Sequence, residues 1–99
     1  MNMLNSIILD GTIQEDILLG EANGIKTASF KIGVDRTELR PDGTKGKVTS
    51  SFEVVTYGTL AEVTNKHGVK GRGIRIVGRL KQENSRVFVI AEHIEYKPL

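Results

Sequence analysis

Cations and aromatic rings carry what chemistry this chain of 99 residues can do. From Lys66 to Lys81 it holds Lys66, Lys70, Arg72, Arg75, Arg79 and Lys81 and no acid. Such a run suits contact with a phosphate backbone, and it equally suits a solvated face with acids folded in from elsewhere. Lys31 and Arg86 lie outside the run, on stretches that a curled sheet can bring beside it. Lys45 and Lys47, with Arg36 and Arg40, extend the same charge. The net charge is only +2, from 14 Lys and Arg against 12 Asp and Glu, so distribution and not total is informative.

Other chemistries are poorly served. There is no Cys, hence no disulfide framework, no zinc–cysteine site and no thiol nucleophile. His67 and His93 have no partner motif, and a metal needs several ligands in one place. Asp10, Glu15 and Asp16 resemble a carboxylate set, but an exposed connection explains them as well; Asp35 and Glu38 stand out no further. No phosphate-binding loop, dinucleotide fingerprint or serine-nucleophile elbow has the required spacing. The expectation is a binding protein and not an enzyme, with no cofactor and no metal. The start, Met1-Asn2-Met3-Leu4, lacks the features of a signal peptide, and no apolar run nears the roughly 18–20 residues that span a bilayer. A cytoplasmic protein without membrane contact is expected.

Strands must position these residues. At 38% hydrophobic residues, the chain suits one folded domain over residues 1–99. Asn5 to Gln14 reads as a first strand, with Ile7, Leu9 and Ile13 alternating and Gly11 marking a bend. Glu15 to Gly24 reads as a connection whose Leu18 and Leu19 cover one end of the core, with a turn at Asn23-Gly24. Lys26 to Arg36 is a second strand, with Ala28, Phe30, Ile32 and Val34 on one side. Thr37 to Gly46 reads as a long exposed hairpin loop around Pro41-Asp42-Gly43. Val48 to Tyr57 is the third strand. Gly58 breaks it, Thr59 is placed to cap a helix of about two turns, and Glu62 sits where a capping box needs it. The helix ends near His67-Gly68. Val69 to Lys81 is the fourth strand, with Ile74, Ile76, Gly78 and Leu80 on one face and Arg75, Val77, Arg79 and Lys81 on the other. After a turn at Gln82 to Ser85, Arg86 to Tyr96 is the fifth.

Five strands with one short helix between the third and fourth is the order of an all-β, five-stranded OB-fold Greek-key barrel. Periodicity alone leaves an SH3-like barrel or another small β protein open. Val54-Val55 and Phe88 to Ala91 break the alternation, which predicts apolar area on both sheet faces and at least a dimer.

The run Val54-Val55-Thr56-Tyr57-Gly58-Thr59-Leu60-Ala61-Glu62-Val63 resembles the bacterial single-stranded DNA-binding protein family. Lys70-Gly71 followed by Ile74-Arg75-Ile76-Val77-Gly78-Arg79-Leu80 resembles that family's next turn and strand. Leu4 to Ile13 and Phe30-Lys31-Ile32-Gly33-Val34 resemble its first two strands, and Arg86 to Tyr96 its last. The resemblance implies sequence-nonspecific binding of single-stranded DNA in replication, recombination or repair. It implies a homodimer or homotetramer and contacts with replication proteins. A related primosomal replication protein of about this length shares the fold. That relative opens the alternative of a protein-interaction module with weak DNA binding.

The family reads single strands by stacking bases on aromatics, and this chain has no Trp. Tyr57 matches the aromatic before Gly and is the leading stacking candidate. The family's other third-strand aromatic falls on Ser51, with Phe52 beside it as a second candidate. A one-residue offset points to the opposite face of a strand. Phe88 on the last strand is the third candidate, with core packing as its other reading. The second-strand aromatic falls near Glu38. The hairpin Gln82-Glu83-Asn84-Ser85 is shorter than the family's, and these residues hold no linker or acidic tail.

Overall fold

Alternating apolar residues on several strands can all be buried together when the sheet curls onto itself. The computed structural model, which describes residues 1–99, does this. The elements are β1 (Ile7–Ile13), β2 (Leu18–Ala22), β3 (Ile25–Leu39), β4 (Lys45–Tyr57), α1 (Thr59–His67), β5 (Gly73–Glu83) and β6 (Arg86–Tyr96). Neighbours run β1-β5-β6-β4-β3-β2, and a further β1–β3 pairing at Thr12–Gly33 and Ile13–Ile32 closes the circle. All pairings are antiparallel except the short β4–β6 contact. The result is a closed five-stranded OB-fold barrel, with β2 as an extra strand along β3 and the helix between β4 and β5.

Ile13, Phe30, Ile32, Val54, Ile74, Ile76, Val89, Ala91 and Ile94 fill the barrel, with Leu60 of the helix packed against them. Two glycines permit its corners. A Cβ on Gly11 would strike the carbonyl of Gly33, and one on Gly78 would strike the carbonyl of Ile90. Gly78 also sits at a bulge: Val77 pairs with His93 but Gly78 with Ala91, leaving Glu92 unmatched.

Five expectations need correction. The first connection contains β2, held by backbone pairing to β3 from Leu18–Ser29 to Ala22–Ile25. Leu18 and Leu19 do not cover the core; they are 64% and 62% exposed, because an edge strand with no layer above it leaves its side chains in solvent. The long loop is short: β3 and β4 stay paired out to Leu39–Lys45, so only Arg40–Thr44 turns the chain. Asp42 fastens that turn by accepting from the Thr44 amide at 2.9 Å and the Thr44 hydroxyl at 2.6 Å. The helix cap is Gly58 at φ 63°, not Thr59, and no side chain caps it. Glu62 accepts instead from Lys26 Nζ at 3.1 Å, tying the helix to β3. Likewise Val69 to Arg72 is turn, and β5 starts at Gly73.

The paired arms of β3 and β4 project beyond the barrel as a two-stranded ribbon. The molecule therefore measures 52 × 38 × 21 Å with a radius of gyration of 14.9 Å. A compact chain of 100 residues has about 13 Å.

Candidate nucleic-acid interface

Residues opposed across a ladder share a face, so register assigns each side chain. Val54 and Val89 are partners and both point into the core. Their neighbours Glu53, Val55, Phe88 and Ile90 therefore point outward. Across β3–β4 the outward pairs are Lys31–Glu53, Ser29–Val55 and Thr27–Tyr57. Across β5–β6 they are Lys81–Phe88 and Arg79–Ile90. Lys45 and Lys47 share the odd-numbered side of β4 with Tyr57, and Arg86 shares the side of Phe88. One continuous outer face thus gathers Tyr57, Phe88, Lys31, Arg79, Lys81 and Arg86, extended along the ribbon by Lys45 and Lys47. Arg75 has the same parity but lies past the bulge, opposite Asp10 of β1.

Most of these cations have a carboxylate partner. Lys31 lies 3.5 Å from Glu15, Lys47 3.3 Å from Asp35, Arg79 3.9 Å from Glu92, and Lys81 3.3 Å from Glu83. Arg86 donates to Glu53 at 2.8 Å. Arg75 grips Asp10 with two bonds of 2.8 and 3.0 Å, which holds the Asp10 carboxyl below its usual range and the guanidinium above its own. The Thr49 hydroxyl, then Lys47, likewise lowers Asp35. These pairs are half exposed, so each adds little to stability and can exchange for phosphate oxygens. Lys45, Arg36 and Arg40 have no carboxylate within salt-bridge distance.

The aromatic candidates separate. Tyr57 is 37% exposed on the outer face. Phe52 is 40% exposed, but it opposes Ile32 and so lies on the other face. Phe88 is not an open platform. It is only 3% exposed, and the Arg86 guanidinium lies over its ring at 4.9 Å from the centroid.

Arg72 is also not free to meet phosphate. Its Nε donates to the Lys97 carbonyl at 3.0 Å and its Nη1 to the His67 carbonyl at 2.9 Å, with the carbon between them 5.2 Å from the centre of the Tyr96 ring. It satisfies a carbonyl at the helix end and pins the tail of β6. Burial raises Tyr96, whose hydroxyl donates to Thr64 Oγ1 at 3.0 Å. The His67 ring lies 5.9 Å from the Tyr96 ring, tilted at 49°, and His93 lies 3.9 Å from Glu95. No three His, Asp or Glu side chains are grouped to hold a metal ion, and no helix is long and apolar enough to cross a membrane. Sequence reasoning passed over Glu53, the carboxylate at the centre of the outer face. Its odd-numbered place beside Tyr57 on β4 was the available signal.

Fold and face define an OB-fold domain that presents an aromatic ring among exchangeable cations. The pattern of the Single-strand binding protein family matches residues 4–88, and the chain belongs to that family. A single-stranded DNA-binding protein of Wolinella succinogenes is 32% identical over 83 residues, covering 83% of this chain and 51% of that protein. The chain spans about half the length of the curated relatives it matches. Among solved structures, a Plasmodium falciparum SSB complex with ssDNA superposes with a TM-score of 0.86 at 19% identity, covering 99% of this chain and 98% of that one. The priB protein of Ralstonia solanacearum superposes with a TM-score of 0.77 at 17% identity, covering 96% and 100%.

Proposed function

We propose that this protein binds single-stranded DNA without sequence preference and without catalysis, serving replication, recombination or repair. The observation that carries the reading is the outer face, where Tyr57 stands among Lys31, Arg79, Lys81 and Arg86, in a chain of the single-strand binding family. An aromatic face accepts any base, and cations along the sheet follow the backbone whatever the sequence. Lys45 and Lys47 lengthen the track along the ribbon. Arg75 borders it across the bulge.

Titration with oligo-dT at two salt concentrations tests the reading. Binding should be present at low salt, weaken as salt rises through release of condensed cations, and be much weaker for duplex of the same length. No binding to oligo-dT at low salt would falsify it.

We further propose a homodimer or homotetramer. Ile8 is 67% exposed on the outer side of β1 beside Val77, and Met3 and Leu4 are exposed just before it. Apolar area of that kind at a strand with a partly open edge suits a second copy. A monomeric mass in light scattering at working concentration would remove this proposal. The alternative, a protein-interaction module for replication proteins with weak DNA affinity, draws support from the carboxylates that already occupy most cations of the face.

A further inference from the structure

Glu53, Arg86 and Phe88 form one assembly on the outer face. The Arg86 guanidinium donates to Glu53 Oε1 at 2.8 Å while lying over the Phe88 ring, 4.9 Å from its centroid. Phe88 is 3% exposed, whereas the Arg86 side chain is 57% exposed. The ring is therefore covered by a group whose other side meets solvent. A guanidinium is planar and weakly hydrated, and nucleic-acid bases stack on it as they do on aromatic rings. Here the Glu53 bond and the phenyl backing fix the guanidinium before any ligand arrives, which lowers the ordering cost of binding. Its single bond to Glu53 leaves N–H groups at the rim of the plane for a phosphate and the outer face of the plane for a base. To stack a base on its free side, it need break nothing.

We propose that Arg86, clamped by Glu53 and backed by Phe88, is a second base-stacking platform, giving a base–guanidinium–phenyl stack. It lies on the same face as Tyr57. Glu53 and Tyr57 are four residues apart on β4, roughly 13 Å at the usual strand rise. The inference rests on the single-strand reading and reassigns Arg86 from phosphate contact to base contact.

The test is titration of oligo-dT over a series of salt concentrations with the whole chain and with Arg86→Lys, Arg86→Ala and Phe88→Leu, circular dichroism confirming each fold. Lysine keeps the charge and loses the plane. A platform predicts that Arg86→Lys weakens binding about fivefold or more at every salt concentration, nearly as much as Arg86→Ala. The slope of log affinity on log salt should stay at the wild-type value for Arg86→Lys. Phe88→Leu, which keeps an apolar side chain at the buried position, should also weaken binding. The proposal is overturned if Arg86→Lys binds like wild type while Arg86→Ala lowers the slope by about 0.7, the mark of one lost phosphate contact on a single strand. Wild-type affinity in all three variants overturns it as well. Those results leave the single-strand reading standing; wild-type protein that ignores oligo-dT at low salt overturns both.

Discussion

The ribbon is built from β3 and β4, which also run through the barrel, yet the two regions obey different rules. Inside the barrel, β3 and β4 have further strand partners and a buried side, so Ala28, Phe30, Ile32 and Val54 are held from several directions. Past about Val34 and Ser51 the strands have only each other, and both sides are wet. Leu39 is 71% and Val48 42% exposed. The charges differ too. Barrel cations Lys31, Arg75, Arg79, Lys81 and Arg86 each have an acid partner, while Arg36, Arg40 and Lys45 of the ribbon have none. The barrel therefore offers fixed geometry with charge already partly answered, and the ribbon, where only Lys47 has an acid partner in Asp35, offers mostly unanswered charge on a two-stranded arm.

Paired glycines give the largest contrast. At Gly78 a Cβ would run into the Ile90 carbonyl, and a backbone atom in a closed barrel cannot step aside. Gly78→Ala should cost about 2–3 kcal/mol, as overpacking of a core does, and lower Tm by roughly 8–20 °C. At Gly46 in the ribbon a Cβ would meet only the flexible Arg40 guanidinium. Gly46→Ala should stay within about 0.5 kcal/mol of wild type. Thermal melts of the two variants decide it, and equal losses would erase the distinction between the regions.

Binding tests the contrast next. Tyr57→Ala should weaken oligo-dT binding roughly tenfold, within the range of about 1–3 kcal/mol per stacked base, and leave Tm near wild type. Phe52→Ala, on the opposite face, should change binding far less. A larger effect at Phe52 would move the interface to the other face of β4.

The ribbon's free charge gives a smaller and different signal. Lys45→Ala should lower the salt slope by about 0.7, the full share of one phosphate contact. Lys81→Ala should lower it by less, since Glu83 at 3.3 Å already answers part of that charge. Titrations at four or more salt concentrations measure both slopes. The reverse order would show that acid partners do not weaken the barrel's cations.

What the sequence revealed follows the same boundary. Ile74 and Ile76 alternate with Arg75 and Val77 because one side of β5 is core and the other solvent, and that contrast is written in residue types. The helix after Gly58 is legible for a different reason: a glycine at φ 63° ends the strand by its local geometry. The outer part of the ribbon, within Thr37 to Gly46, reads as loop because Thr37, Glu38 and Lys45 are polar and no alternation marks a buried side. A backbone ladder needs no apolar residue. β2 is hidden in the sequence likewise, since all five of its residues are exposed and only its pairing to β3 makes it a strand. For the candidate site, the outer-face cations of β5 could be placed by alternation. The cover that Arg86 gives Phe88 could not, because it depends on Glu53, 33 residues away in sequence. The role of Arg72 escapes the sequence for a similar reason: its partners are two carbonyls brought near only by the fold.

Acid should produce the smallest difference, and it reaches both regions. Asp10 in the barrel and Asp35 in the ribbon both titrate below the ordinary carboxylate range, the first chiefly through Arg75 and the second chiefly through Thr49. As pH falls through the usual Asp value of about 3.9, the unfolded chain takes up protons that the folded chain still refuses. Each pair thus favours folding above that pH and loses its contribution below it, as pH drops through the lowered folded value. Asp10 joins β1 to β5 within the closed barrel, so Asp10→Asn should make the fall of Tm between about pH 5 and pH 2 shallower. Asp35→Asn should leave that profile unchanged. Its effect belongs to the ribbon, where amide protection around Thr49, measured against the intrinsic exchange rate at each pH, should lose its acid dependence. If Asp35→Asn flattens the Tm profile as much as Asp10→Asn does, the ribbon unfolds with the barrel as one cooperative unit, and the freedom assigned to its charges has no structural basis.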